Sequence, residues 1–199
     1  MDFQTILVNG TSQINIHADP NLTSSLIFIL IPLIATSVIG WKTIEYSKKQ
    51  YERSAMKDIF GILGETAHKN AEVNLYDAYK KDGTLMKDDK LDPNRNNPAE
   101  VVRRNYDQAG AMLSSKLIPA KQYYQAFGVL TVVSFFILKK SIEQEREYHK
   151  YHVAHFTNLA IDCFEFWDKQ KEDVKPKITD PKGNPITKEM LGKKISIPK

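Results

Sequence analysis

Hydrophobic positions fall into three regimes along the 199-residue chain. The first is a continuous run. Leu22–Trp41 (LTSSLIFILIPLIATSVIGW) holds no charged residue, and Leu, Ile, Phe and Val fill ten of the fifteen positions from Leu26 to Gly40. At ~1.5 Å of rise per residue, a helix of that length crosses the ~30 Å hydrocarbon core of a bilayer, and Pro32 is tolerable inside it. The second regime, from Lys42 onward, is helical periodicity. Ile44, Tyr51, Ile59, Ile62, Leu63, Ala67, Ala71, Leu75, Ala78 and Tyr79 recur at helical spacing, predicting a long helix that leaves the span and enters a folded domain. Gly61 and Gly64 mark a kink or a close helix contact within it.

Lys80–Asn97 (KKDGTLMKDDKLDPNRNN) reads as a charged, mobile connection. Asn97, Pro98 and Glu100 then form a helix-start signature: Asn97 caps, Pro98 suits the first position, and Glu100 reaches back to Asn97. Val102, Tyr106, Ala109, Met112 and Leu113 make one apolar stripe, which Leu117-Ile118-Pro119 ends before another helix opens. Ala126–Leu138 (AFGVLTVVSFFIL) is apolar on every face, but thirteen residues make only ~20 Å of helix. With Lys121, Gln122, Lys139 and Lys140 at its ends, it suits the central helix of a bundle better than a second span. A last helix, about 150–169, carries Val153, Phe156, Leu159, Ala160, Cys163, Phe164 and Trp167.

The third regime begins at Gln170, where Lys, Pro, Thr and Gly replace large apolar residues and a mostly disordered tail is expected. Asp180–Asn184 is turn chemistry, and Ile195–Ile197 has the makings of a short strand. The expected fold is therefore all-α, in four stretches: a polar lead-in (1–21), a transmembrane helix (22–41), a domain of about four helices (42–169) and a flexible basic tail (170–199).

Charge orients this arrangement. The net charge is +4, but residues 1–168 sum to −1 and residues 169–199 to +5. No Lys or Arg precedes the span, whereas Lys42, Lys48, Lys49, Arg53 and Lys57 follow it. The positive-inside rule puts the N-terminus outside and the helical domain in the cytoplasm of a single-pass membrane protein. Trp41, Lys42, Lys48 and Lys49 are the expected interfacial anchors. The run is too long, starts too late and lacks the basic leader of a cleaved signal peptide. Asn9-Gly10-Thr11 and Asn21-Leu22-Thr23 are glycosylation sequons on the outer side.

The chemistry-bearing motifs are few. Walker, dinucleotide, nucleophile-elbow and paired-cysteine patterns are missing from the sequence, no cofactor is called for, and an enzymatic role is disfavoured. Cys163, the lone cysteine, sits on an apolar face and reads as a buried small hydrophobe. His149, His152 and His155 follow one another at intervals of three, with Glu145 one turn earlier; on a helix, adjacent pairs could share a metal ion. Asp92–Asn97 begins like a calcium loop, but lacks the Gly and Glu that such a loop needs at its sixth and twelfth positions. In the tail, Lys193 and Lys194 are candidate contacts for anionic lipid or a partner. The tail has no Arg and no aromatic residue, so nucleic acid is not an expected partner.

Taken together, the span, the charged helix running into Ala71–Tyr79, the Val101–Ile118 helix (VVRRNYDQAGAMLSSKLI) and the pattern His149-x-x-His152-x-x-His155-Phe156-x-x-Leu159 resemble an uncharacterised family of single-span membrane proteins of bacteria and archaea. The likeness runs over Leu22–Lys169 and implies a helical cytoplasmic domain on a membrane anchor. It implies no catalytic residue. The expected function is non-enzymatic: a membrane-tethered interaction module or accessory subunit whose partners are the bilayer and a protein or a second copy. A metal-binding protein using the histidine helix is the alternative.

Overall fold

The computed structural model describes the backbone of residues 4–8, 11–15, 20–83 and 97–197, and side chains from Leu33 onward within these ranges, Asp82 excepted. The sequon at Asn9, the side chain of Asn21, and most of the charged connection and calcium-loop candidate (84–96) lie outside the described residues. Helices dominate, as the periodicity predicts, and the chain divides into two compact units, Met1–Gln50 and Tyr51–Lys199.

The first unit opens with β1 (Gln4–Val8) and β2 (Thr11–Asn15), an antiparallel pair in which Gln4 faces Asn15 and Val8 faces Thr11. The sequence reading placed no element there. The rest of this unit is the first part of α1 (Pro20–Gly64), which contains the expected span.

The second unit is a helical bundle. The long helix predicted through Tyr79 is broken: α1 stops at Gly64, Glu65 is extended (φ −62°, ψ 141°), and α2 (Thr66–Asp82) begins afresh. It ends at Gly83, whose φ of 70° is open to glycine and whose N–H donates to the Tyr79 carbonyl at 2.8 Å, a left-handed cap. In α3 (Pro98–Ser114), Asn97 accepts from the Ala99 N–H at 2.9 Å, as the signature predicts. Glu100 departs from it: its carboxylate takes the Arg103 guanidinium at 2.8 Å instead of reaching back to Asn97.

The second apolar maximum lies inside α4 (Ala120–Arg146), which packs against α2, α3 and α5 (Ala154–Asp168). Among the described residues it is the one helix long and apolar enough to cross a membrane, yet half of its most apolar stretch is buried within the chain. Val132, Phe135, Leu138 and Ile142 meet Ile59 of α1, Val102 and Tyr106 of α3, and Phe156 and Leu159 of α5 in a common core. Each such side chain contributes about 1.5–3 kcal/mol on leaving water. α3 and α5 approach closely at Gly110, where a Cβ would stand 2.5 Å from the His155 carbonyl oxygen.

The segment after Gln170 departs most from expectation. Ile178, Ile186 and Leu191 are buried in the same core, and a short helix, α6 (Lys188–Leu191), packs on α4 and α5. Asp180, itself buried, organises the turn that begins there: its carboxylate accepts from the N–H groups of Lys182 (2.9 Å) and Asn184 (2.8 Å) and from the Asn184 amide (3.0 Å). Burial opposes ionisation of this carboxyl, but the Asn184 side chain and the two backbone amides outweigh it and hold Asp180 below the usual carboxylate range. Three widely spaced apolar anchors and one polar hub suffice to order a stretch of low overall hydrophobicity.

Candidate functional site

The histidine helix does not form. α4 ends at Arg146, residues 147–153 turn, and α5 starts only at Ala154. The Arg146 guanidinium spans the break, donating to the carbonyls of His152 (2.9 Å) and Val153 (3.0 Å) and to the Thr157 hydroxyl. Val153 stands at φ 42° within it, a left-handed conformation that costs a β-branched residue about 1–3 kcal/mol. Across the gap, Asp107 of α3 accepts from the Phe156 N–H at 2.9 Å and caps α5 from outside. The three candidate metal ligands are accordingly separated. His149 is exposed in the turn, His152 Nε2 lies 2.6 Å from Glu145 Oε2, and His155 Nδ1 is 3.4 Å from the Ser114 hydroxyl. No group of three or more metal-ligating side chains occurs among the described residues.

Glu145 also pairs with Arg103, a guanidinium buried in the bundle that further reaches Glu100 and the Ser141 hydroxyl (3.4 Å). Arg103, Glu145 and His152 thus tie α3, α4 and the turn together. Of the three candidate ligands, His152 alone is engaged in this helix–turn–helix corner.

A second polar cluster lies deeper and was missed in the sequence. On α2, His68 and Glu72 stand one turn apart, beside the apolar stripe of Ala71 and Leu75. Glu72 Oε1 accepts from the Tyr106 hydroxyl at 2.5 Å and from the Ser134 hydroxyl at 3.1 Å, and Ser134 also meets the Tyr76 hydroxyl at 3.1 Å. His68 Nδ1 is 3.2 Å from the Asn105 amide, and its Nε2, 3.7 Å from Glu72, has no hydrogen-bond partner among the described residues. Burial and the neighbouring Glu72 raise the Tyr106 phenol well above its ordinary value, so it remains a donor. A hint was present: two polar residues at an i, i+4 spacing on the buried side of an otherwise small-residue stripe.

Burial also governs His68. It disfavours the imidazolium by more than Glu72 and Glu65 favour it, holding His68 below the ordinary histidine value. Below the unfolded-state pKa of about 6.5 the unfolded chain therefore binds more protons than the folded one. Stability is expected to fall as pH drops from about 6.5 towards the folded-state value, by at most about 1.4 kcal/mol per pH unit from this group. Thermal midpoints across pH 8 to 5 should show a decline that His68→Gln reduces; parallel profiles for the two proteins would contradict this assignment.

The expected membrane-facing and basic residues divide into two sets. Trp41 is 73% exposed and Lys49 pairs with Glu45 at 2.7 Å, while Lys42 and Lys48 lie on the same solvent-facing length of α1. Lys193 is exposed, but Lys194 is bound to α5, 2.5 Å from Asp162 and 3.3 Å from Glu165. Lys188 also meets Glu165, at 2.8 Å. Asn158 completes this side of α5, its amide accepting from the Ile195 N–H at 2.7 Å and donating to the Ile195 carbonyl at 2.8 Å. Asn158, Asp162 and Glu165, at i, i+4 and i+7, form a polar stripe opposite the apolar face that carries Cys163. Burial pushes the Cys163 thiol well above its ordinary value, leaving it a small core hydrophobe as the sequence predicts. A pocket of about 440 Å³ opens between Phe164 and Asp168 of α5 and residues 175–179 of the C-terminal segment.

No family model matches this chain, and comparison with curated proteins and with solved structures likewise gave no match.

Proposed function

We propose that the chain is a single-pass membrane protein, N-terminus outside, whose cytoplasmic helical domain serves as a non-enzymatic partner platform or accessory subunit of a membrane complex. The observation that carries this reading is the exposure of the 33–44 length of α1 on every side. Leu33, Ile34, Val38, Ile39, Trp41 and Ile44 are all at least 48% exposed, and all but Ile44 belong to the uncharged stretch Leu22–Trp41. So many large apolar side chains on one length of helix are costly in water and favourable in a bilayer. The burial of α4 supports the same assignment of roles, with α1 as anchor and α4 as the core of the bundle. The bundle itself offers an apolar face to a partner where Phe60 packs 4.9 Å from Phe127, with Leu130 one turn further along α4, Phe60 and Leu130 both exposed.

The anchor is tested by alkaline carbonate extraction of membranes from cells expressing the chain. The full-length protein is expected to stay in the pellet, and the Ile34→Lys/Ile39→Lys variant to be released. Topology follows from cysteines placed in a Cys163→Ala background. An impermeant thiol reagent should label Ser12→Cys in intact cells and Lys48→Cys only after permeabilisation. Release of the unmodified chain by carbonate, or labelling of Lys48→Cys from outside, would sink the reading.

A further inference from the structure

The polar stripe of α5 holds residues 193–197 as a binding groove holds an extended peptide. Asn158 reads the main chain of Ile195 in both directions, donor to carbonyl and acceptor to N–H, the way a neighbouring strand would. Asp162 and Glu165 take the ammonium of Lys194. Beyond them, Ile197 lies at a pocket of about 110 Å³ lined by Gly110, Tyr124, His155 and Leu159. Ile195 and Ile197 are half-buried, while Lys194 and Ser196 are exposed, the alternation of an extended segment.

What holds this segment differs from what holds the residues before it. Leu191 is fully buried, and Gly192, at φ 88°, then turns the chain out of the core. From there on, the attachments are one side-chain amide, partly solvated ion pairs and two half-buried isoleucines. Exposed ion pairs are individually weak, so the segment is displaceable without opening the core.

We propose that the Asn158–Asp162–Glu165 face of α5 is a docking site for an extended segment of a partner protein reading lysine–apolar–any–apolar, and that residues 193–197 occupy it in cis as a stand-in. The proposal deepens the partner-platform reading and rests on it. Charge complementarity selects a basic partner segment, the Asn158 clamp requires it to be extended, and the pocket selects an apolar side chain at its end. Because the tethered segment competes at a high effective concentration, a partner binds tightly only when the cis segment is loosened.

The test uses the full chain in mild detergent and a fluorescein-labelled, end-blocked peptide, Gly-Lys-Lys-Ile-Ser-Ile-Gly, read by anisotropy. The Lys194→Glu/Ile195→Gly variant, which leaves Leu191 and the core in place, is expected to bind the probe about tenfold or more tightly than the unmodified chain. Adding Asn158→Ala and Asp162→Lys to that variant should abolish the gain. Circular dichroism establishes that each variant is folded; should the loosened variant fail to fold, Lys194→Gln alone serves the same comparison. A folded, loosened chain with no gain in probe binding would overturn the proposal and make the segment a fixed part of the fold. So would an unmodified chain that is dimeric on size exclusion and becomes monomeric on loosening, since a second copy would then be the occupant. The outcomes separate from those of the anchor: a chain that binds the probe but is washed from membranes loses the membrane reading alone, and a carbonate-resistant chain with an inert groove loses the docking site alone.

Discussion

Replacing Gly110 by alanine is expected to destabilise the bundle severely. A Cβ at that position would stand 2.5 Å from the carbonyl oxygen of His155 and 2.8 Å from its carbonyl carbon. Both atoms are backbone, so no side chain can rotate away; α3 and α5 must separate along their contact. Overpacking a core costs about 1–3 kcal/mol where side chains can adjust, and a rigid helix backbone puts this case at or above the upper end. The loss should appear as a fall of many degrees in the thermal midpoint in detergent, or as failure to accumulate folded protein. Gly61→Ala is the control. Among the described residues nothing lies within 4 Å of where its Cβ would stand, and a mid-helix alanine is worth about 0.5–1 kcal/mol over glycine, so this substitution should be neutral or stabilising. Similar losses at both positions would mean that the helices do not approach as described.

Truncating Glu72 to alanine should be comparably damaging for an electrostatic reason. The Tyr106 hydroxyl, 2.5 Å from Glu72 Oε1, belongs to a residue with no solvent exposure, and the Ser134 hydroxyl is equally buried. An orphaned buried donor costs about 1–3 kcal/mol, and Ser134 retains Tyr76 as an alternative. Adding the cavity left by the side chain, a total near 3 kcal/mol is expected. Glu72→Gln keeps an acceptor in the same place and should lose only about 1 kcal/mol. Urea unfolding of the two variants side by side checks the contrast. If glutamine is as harmful as alanine, the hydrogen bonds are not what Glu72 contributes.

How far the sequence disclosed this architecture depended on the kind of signal each element carries. The interior of α3, the cap at Asn97 and the burial of most of the Ala126–Leu138 run follow from local rules that one chain segment can express alone. The hairpin of β1 and β2 was also legible: Asn9-Gly10 between runs containing Thr5, Ile6, Val8, Thr11 and Ile14 is a strong two-residue turn signal. The histidine corner was not legible in that way. Its spacing of three satisfies helical periodicity, while the contacts that hold the corner are long-range or irregular: Arg146 bonds to carbonyls six and seven residues on, and Asp107 lies 49 residues before Phe156. The ordered C-terminal segment defeats composition for a similar reason. Ile178, Ile186 and Leu191 share no period because they anchor a turn and a short helix onto surfaces made elsewhere. The Glu72 cluster draws on three helices, and sequence pattern assigns each member to a face without saying which faces meet.

Among these long-range contacts, the one between α2 and the C-terminal segment bears on the order in which the molecule folds. The Tyr79 hydroxyl donates to Asp180 across 101 residues of chain, at 3.3 Å. Closing so long a loop is entropically slow, whereas α4 and α5 meet through a turn of seven residues, 147–153. The α4–α5 hairpin is therefore the natural nucleus, with α3 joining it through Asp107. The outer end of α2 gains its last partner only when the Asp180 turn docks. Amide protons near Tyr79 should accordingly exchange through a partial opening that spares α4 and α5. The bundle would then have a firm half and a late-closing half, with the boundary running along the surface where α2 meets the Asp180 turn.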